Sequence, residues 1–369
     1  MTGINRRQFS LLLAGALASP ALLAHQTQEQ PLLASAATDN QGRHYLQLIS
    51  DRGNVLLNHP LLSRAHHVAA HPSETWLAAV ARRPGTYIDV LDYRQNTLLH
   101  RVESAADRHF YGHAIFSRNG RYLISTENQI SDGSGRIVVR DCQQQFNIIA
   151  DHPSYGIGPH ELALLSDNNT LVVANGGILT HPDKGRDKLN LDSMQPSLAY
   201  IDLVSGALLE QVTLPPEMHQ LSIRHLDVNA TGTVAIALQY QGPKYDDVPL
   251  VALHRRGNAI HPLRAPDAIN RAMKQYCGSV RFDASGRYVA ISSPRGDLIT
   301  FWDTHTDAFI DQCKTRDGCG LAATDVAGEF LISSGLGRLY RYDLTQGKKQ
   351  RIPLQLNLPV AWDNHMVSV

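Results

Sequence analysis

The sequence predicts an all-β fold: a seven-bladed β-propeller whose ring is closed by pairing the C-terminal strand with the N-terminal strands. A strand–turn–strand pattern recurs at intervals of roughly 40 to 65 residues, close to the spacing of blades in WD40-type propellers. The two ends of the chain also carry complementary parts of one further blade. Two stacked β-sandwiches, the alternative all-β architecture, do not explain these complementary ends.

The repeat is clearest when residues 113–124 (HAIFSRNGRYLI) are compared with residues 279–290 (SVRFDASGRYVA). Both contain an apolar segment, a polar turn with a glycine and a second apolar segment, and the alternation of apolar residues is typical of strands. Most copies continue through a third segment that ends at an aspartate and then a fourth apolar segment. We therefore predict one four-stranded blade for each of the six copies, which start near residues 67, 113, 160, 225, 279 and 321.

The chain ends supply the seventh blade. Residues 363–369 resemble a first strand with nothing after it, while residues 31–61 hold three strands, near 32–38, 44–50 and 54–61. Joining the two sets gives a complete blade and closes the ring. Closure protects the sheet edges that an open array would expose to aggregation.

The N-terminus resembles a signal for export. Arg6 and Arg7 precede Phe9 and an apolar stretch over residues 11–23, a pattern typical of twin-arginine signal peptides. We predict that residues 1–24 are this signal peptide, with an uncleaved anchor as the alternative, and that the protein lies in the periplasm. Residues 25–369 are then one propeller domain without a membrane span, carrying an insertion at residues 175–196 that we expect to form a surface loop.

Charge and cysteine content narrow the function classes. The 34 Lys and Arg residues balance the 34 Asp and Glu residues, which argues against nucleic acid as a partner. The four cysteines include no C-x-x-C or C-x-x-C-H motif, so the sequence supports neither a redox pair nor covalent haem. Disulfides between Cys313 and Cys319 or between Cys277 and Cys319, and free buried thiols at all positions including Cys142, remain open.

Histidine supplies the candidate site. The chain has 18 histidines, and five of them stand at the predicted start of the innermost strand in five of seven blades. Inner strands surround the channel, so repeated positions should form a ring of imidazoles suited to iron, copper or zinc. Structural hydrogen bonding between blades, or lining a substrate channel, is the alternative role. The predicted metal ligands are His67, His113, His160, His225 and His365. The predicted channel-mouth residues are Arg224, Asp363, Asn364, Tyr111 and Glu161, with His66 in the same neighbourhood.

Known catalytic motifs are absent from the sequence. It contains no G-x-S-x-G elbow, no H-E-x-x-H motif and no P-loop glycine pattern, so no catalytic residue is identified. His160 and Glu161 are neighbours, but consecutive strand residues point to opposite faces, which predicts that they do not act as a dyad.

Several segments resemble an uncharacterised bacterial family of exported, propeller-like proteins. The likeness lies in residues 156–161 (GIGPHE), 174–177 (ANGG), 188–191 (KLNL), 221–226 (LSIRHL), 239–242 (QYQG) and 362–365 (WDNH). It implies a setting beside imelysin-type iron-uptake proteins and a di-haem, thiol-oxidoreductase-like protein, which are the implied partners. It implies no catalytic residue.

The leading hypothesis is therefore a non-enzymatic periplasmic propeller that serves metal uptake, iron above all, as a scaffold for a ligand or partner protein. The alternative is a metal- or haem-dependent enzyme or electron-transfer protein that uses the channel histidines. A lactonase-like hydrolase with a channel metal is a third class.

Overall fold

Seven antiparallel four-stranded sheets form the chain in a computed structural model, which describes residues 30–356 and 359–369. The predicted signal peptide, residues 1–24, lies outside the described residues. Each sheet is one blade, and its strands follow one another from the channel outward. The predicted all-β, seven-bladed fold is confirmed.

The strand bounds follow the blades in order. Blade 1 contains β28 (Val360–Ser368), β1 (Pro31–Asp39), β2 (His44–Ser50) and β3 (Val55–Leu61). Blade 2 contains β4 (Ala65–Ala70), β5 (Trp76–Ala81), β6 (Tyr87–Asp92) and β7 (Thr97–Glu103). Blade 3 contains β8 (Arg108–Phe116), β9 (Tyr122–Gln129), β10 (Ser134–Asp141) and β11 (Asn147–Ile157). Blade 4 contains β12 (Pro159–Leu164), β13 (Thr170–Asn175), β14 (Ser197–Asp202) and β15 (Leu208–Thr213).

The remaining blades complete the ring. Blade 5 contains β16 (Leu221–Val228), β17 (Val234–Tyr240), β18 (Val251–His254) and β19 (His261–Leu263). Blade 6 contains β20 (Ser279–Phe282), β21 (Tyr288–Ser293), β22 (Leu298–Asp303) and β23 (Ala308–Lys314). Blade 7 contains β24 (Gly318–Ala323), β25 (Glu329–Ser334), β26 (Arg338–Asp343) and β27 (Lys348–Ile352). One short helix, α1 (Asp267–Ala272), follows β19, and five single-turn 3-10 helices lie at Cys142–Gln144, Pro182–Lys184, Leu191–Ser193, Pro216–Met218 and Pro294–Gly296.

The ring closes through the chain termini, as the sequence predicts. β28 pairs antiparallel with β1, with Leu33 opposite Ser368 and Ala34 opposite Val367. β28 also contacts the inner strands of both neighbouring blades, β24 and β4. The last strand of the chain is therefore a structural member of the inner ring.

The turns explain why the repeat recurs in the sequence. In four copies the turn after the inner strand places glycine at a φ between 69° and 80°, a left-handed conformation that costs glycine little. The aspartate that ends the third strand accepts hydrogen bonds from backbone N–H groups two or three residues later, as Asp92 does from Arg94 and Gln95. The same turn occurs at Asp202 and Asp343.

The hydrophobic core lies between adjacent blades rather than in one central layer. Between blades 6 and 7, for example, the rings of Phe301 and Tyr342 stack with centroids 4.6 Å apart. The middle strands β6, β13 and β22 are buried along their whole length, because both faces of a sheet pack on a neighbouring blade. The channel is then left to the side chains at the inner edges of the sheets.

All four cysteines are free, which resolves the open disulfide question. Cys277 and Cys319 are buried, and their thiols contact the hydroxyls of Ser293 and Ser333, respectively. Burial raises the pKa of both thiols to about 12, so they are protonated and unreactive at neutral pH. A membrane-spanning helix is absent from the described residues, where every helix has six residues or fewer.

Candidate metal centre

β-bulges in the inner strands turn side chains into the channel. In the described strands, a shift of register accompanies six of the seven inner strands: β4, β8, β12, β16, β24 and β28. The exception is β20, which pairs regularly with β21 and places Ser279, rather than a histidine, at its start. A bulge leaves an extra residue unpaired and changes where its side chain points, so neighbouring residues can face the channel together.

The bulge in β8 depends on Gly112. This residue has a φ of 113°, and a Cβ added there would lie 2.7 Å from Cδ2 of His66. Only glycine fits both the backbone conformation and the close approach of the imidazole from blade 2. Gly112 thus sets the position of His113 on its own strand and of His66 on the neighbouring blade.

Two overlapping groups of potential metal ligands lie within the channel. The first consists of His113, Glu161, His225 and His365, and the second of His66, His113 and His160. Within each group the ligand atoms lie within 4.8 Å of one another, and all of these side chains are buried. Two nitrogen or oxygen ligands on opposite sides of one ion are about 4.2 Å apart, so small side-chain rotations would bring the first group to coordination distance.

His113 is at the centre of the cluster. Its ring centroid lies 4.6 Å from those of His67 and His365, and 4.8 Å from that of His160. His225 lies 5.8 Å away. With His66 at 5.1 Å, five imidazoles from four other blades therefore surround the ring of His113.

The ring nitrogens of His113 and His365 have no hydrogen-bond partner among the described residues, although both side chains are 1% exposed. His254, a buried histidine at the end of β18, is different. Its Nδ1 lies 2.6 Å from the Tyr200 hydroxyl and its Nε2 lies 2.9 Å from the Asn258 carbonyl oxygen. Unpaired buried polar groups are costly, so the channel nitrogens have the character of ligand sites, whereas His254 has that of a structural residue.

Electrostatics keep the cluster neutral and ready to ligate. Burial lowers the pKa of His66 and His67 to about 4, and it lowers those of His113, His160 and His365 well below the usual range. Neutral imidazoles are the form that binds metal. The pKa of His225 is also lowered by burial, with Glu161 opposing that effect.

Glu161 provides the negative charge of the first group. Its Oε2 accepts hydrogen bonds from Nδ1 of His225 (3.0 Å) and from the backbone N–H of Leu226 (3.3 Å), while Oε1 lies 3.8 Å from Nδ1 of His113. Burial raises the pKa of this carboxyl, but the hydrogen bond from His225 and the nearby positive charges, including that of Arg281, together outweigh that effect and lower it. With the proton held on Nδ1, the lone pair of His225 lies on Nε2.

The family model described as "Protein of unknown function (DUF1513)" matches residues 59–369. The chain belongs to this family. Its propeller is similar to that of hydrazine synthase from Kuenenia stuttgartiensis, with a TM-score of 0.60 and 13% sequence identity over 91% of this chain and 99% of that chain. At this identity the likeness shows the fold alone. No curated protein matches the chain.

The DUF1513 channel brings together the five histidines predicted as metal ligands, together with Glu161 and His66. His113, His225 and His365 form the first group with Glu161, while His160 belongs to the second. His67 is in neither group and stacks on His113. Metal binding by these residues stays a prediction.

One detail of the predicted site is wrong. His113, His225 and His365 do not stand at the start of their strands but at bulges within them. His160 and Glu161 belong to different groups, although both approach His225: the His160 ring lies 4.8 Å from the His225 ring, and the Glu161 carboxylate lies 3.0 Å from its Nδ1.

The predicted mouth residues lie on both sides of the cluster. Asp363 binds Arg64 and lies 3.2 Å from Nδ1 of His66. Those contacts overcome the effect of burial and lower the pKa of Asp363. Tyr111 and Asn364 line the mouth that contains His66 and His160. We call this the arginine mouth, because it is also lined by Arg82, Arg83, Arg186 and Arg224.

The opposite mouth of the DUF1513 propeller opens toward His67, His113 and Glu161. It is also lined by Arg118, Asp227 and Arg281, so we call it the mixed mouth. The cluster of imidazoles therefore separates two openings of different charge.

The insertion at residues 175–196 lies between β13 and β14 and covers part of the arginine mouth. The Tyr111 hydroxyl lies 3.3 Å from that of Thr180. Asn190 accepts a hydrogen bond from the backbone N–H of Leu179 and donates one to the carbonyl oxygen of Gly177. These contacts fix the segment in place and bring Arg186 to the channel.

Proposed function

We propose that this protein is a periplasmic propeller that binds one first-row transition-metal ion in its channel and serves metal uptake, with iron as the favoured metal. The ligands would be His113, His225, His365 and Glu161. The observation that carries the proposal is the pair of buried imidazoles, His113 and His365, whose ring nitrogens have no partner in the described chain. The implied partner is an imelysin-type or di-haem periplasmic protein.

The ligand atoms of this group limit which metal ions the site would bind. Three neutral imidazoles and one carboxylate suit iron, copper and zinc, and they are poor ligands for calcium, which prefers oxygen. With a divalent ion, this group would carry a net positive charge in a buried place. Burial of that charge favours an additional anionic ligand, and the two mouths give such a ligand access.

The channel argues against haem, which was part of the alternative hypothesis. The imidazole rings pack against one another, with centroids 4.6 to 5.8 Å apart. Such packing leaves no space for a porphyrin between them. A metal-dependent enzyme is the second candidate, and it is favoured by the open mouths on both sides of the cluster.

Titration calorimetry on chelator-treated protein tests the proposal. Fe²⁺, Cu²⁺ and Zn²⁺ are each titrated into the wild type and into His113→Gln, His225→Gln and His365→Gln. We expect at least one metal to bind with one dominant site per chain, and each substitution to weaken that binding by at least about tenfold, the low end of what losing a supporting contact costs. His254→Gln is the matched control, because it removes a buried histidine outside the cluster.

If the affinity for each metal is the same in the channel variants as in the wild type, the proposal is contradicted. Loss of binding in His254→Gln to the same extent would also contradict it, since that result would reflect general destabilisation. Assays for turnover with the loaded protein then separate a metal-dependent enzyme from a binding scaffold.

A further inference from the structure

The arginine mouth carries a concentration of positive charge that the metal site alone does not explain. Arg82, Arg83, Arg186 and Arg224 line one small pocket beside His66, His160 and His225. These cations interact with one another: burial lowers the pKa of Arg224, and the nearby Arg83 and Arg186 lower it further. The same field reaches Lys188, whose pKa is lowered by burial and by Arg224.

Carboxylates do not neutralise this charge. Within the described part of the chain, Arg83, Arg186 and Arg224 form no ion pair with any Asp or Glu. Arg82 forms an ion pair with Asp363, whose carboxylate lies 3.7 Å from its Nη1 and already binds Arg64 and His66. A single carboxylate therefore faces a larger number of guanidinium groups.

Two guanidinium nitrogens in this mouth are buried without a hydrogen-bond partner among the described residues: Nε of Arg224 and Nη1 of Arg82. A buried donor on a charged group costs free energy unless an acceptor is supplied. The acceptor that guanidinium groups match best is a carboxylate or phosphate oxygen, which they bind through two parallel hydrogen bonds.

The mixed mouth lacks this excess. There Nη1 of Arg281 lies 3.3 Å from the carboxylate of Asp227, and Glu161 supplies a second negative group. Arg118 is the remaining cation, and it is exposed. The channel is thus electrostatically asymmetric, with a cationic entrance on one side only.

We infer that the arginine mouth binds a small multivalent oxyanion, which is the exogenous partner of the channel metal. The inference rests on the proposed function for the role of the metal, but the anion site itself is a property of the mouth. Arg82 and Arg224 hold the oxyanion beside His66 and His160, and Arg186 closes over it from the insertion. The substrate class is then a metal ion accompanied by an organic polycarboxylate or an inorganic oxyanion.

Calorimetry on the chelator-treated, full-length mature protein tests this site without any metal. The probes are citrate and oxalate in one arm and phosphate and sulfate in the other. We expect at least one probe to bind, and Arg224→Gln to weaken it by at least about tenfold, as expected for the loss of a charge-assisted hydrogen bond. Binding should also weaken as salt rises, because salt screens the mouth.

Two further variants make the result specific. Arg186→Gln changes an exposed residue of the insertion, so it tests the mouth even if Arg224→Gln fails to fold. Arg118→Gln removes a cation from the mixed mouth and should leave anion affinity unchanged. Selective binding of the carboxylates identifies an organic acid as the ligand, and selective binding of phosphate or sulfate identifies an inorganic one; either supports the inference.

Absence of binding by all four probes would overturn the inference, as would equal loss of affinity in Arg118→Gln and Arg186→Gln. Failure here is distinguishable from failure of the proposed function. Metal titrations without any oxyanion report on the histidine cluster, and anion titrations without metal report on the arginine mouth.

Discussion

The buried imidazoles should make the metal-free fold sensitive to mild acid. His66 and His67 have pKa values of about 4 in the folded protein, whereas an unfolded chain titrates them near 6.5. Between these values the unfolded state binds protons that the folded state excludes, so stability falls as the pH drops. The loss begins near pH 6.5 and continues until about pH 4.

The magnitude follows from the same pKa values. At pH 5, each of these two histidines destabilises the fold by roughly 2 kcal/mol relative to neutral pH. Together they remove roughly 4 kcal/mol, a large part of the 5–15 kcal/mol that typically stabilises a protein. His113, His160 and His365 act in the same direction, because burial also lowers their pKa values.

Urea denaturation of chelator-treated protein, followed from about pH 8 to about pH 5, measures this loss. His66→Gln should recover roughly 2 kcal/mol of the difference between the two pH values, because it removes one titrating group. His305→Gln, at an exposed position, should leave the difference unchanged. A free energy of unfolding that stays constant over this range would refute the account of a neutral, buried cluster.

Three other predictions concern the bulge, the closure and the export signal. Gly112→Ala should destabilise the fold by roughly 1–3 kcal/mol, seen as a lower Tm, because a Cβ at φ 113° would also meet His66 at 2.7 Å; an unchanged Tm would contradict this. Deleting residues 363–369 should remove most of the inner strand of blade 1 and cause aggregation, so a soluble truncated protein with an unchanged Tm would contradict the closure. Replacing Arg6 and Arg7 with Lys should leave precursor in the cytoplasm on cell fractionation, and normal delivery would argue against the twin-arginine route.

The ring and its closure could be predicted from the sequence because the blades repeat the same turn residues and the same pattern of apolar residues. Glycine turns such as that at Gly120, and aspartate turns such as that at Asp92, mark strand ends independently of distant contacts. The N-terminal blade lacks an inner strand of its own, and for the same reason that strand could be recognised at the C-terminus. Regular alternation of apolar residues predicted the strands between these turns.

The arrangement of the cluster was less accessible, because bulges have no simple sequence signature. A strict two-residue period sends His160 and Glu161 to opposite faces, whereas in the bulged strand β12 both approach His225. His66 was assigned only to the neighbourhood of the mouth for the same reason. The sequence signal that could have placed His66 in the cluster is that it stands directly before His67 on an inner strand.

Side-chain contacts between different blades could not be predicted from the sequence either. The contact between Glu161 and His225 joins residues 64 positions apart, and the ring packing of His113 and His365 joins residues 252 positions apart. Only the closed ring defines which histidines meet.

The most direct test of the central claim is elemental analysis of the protein purified from its native host cells, compared with a His113→Gln/His365→Gln double variant purified in the same way. We predict about one transition-metal ion per wild-type chain, and little or none in a double variant that remains folded. An equal metal content in the two proteins, or none in either, would contradict it.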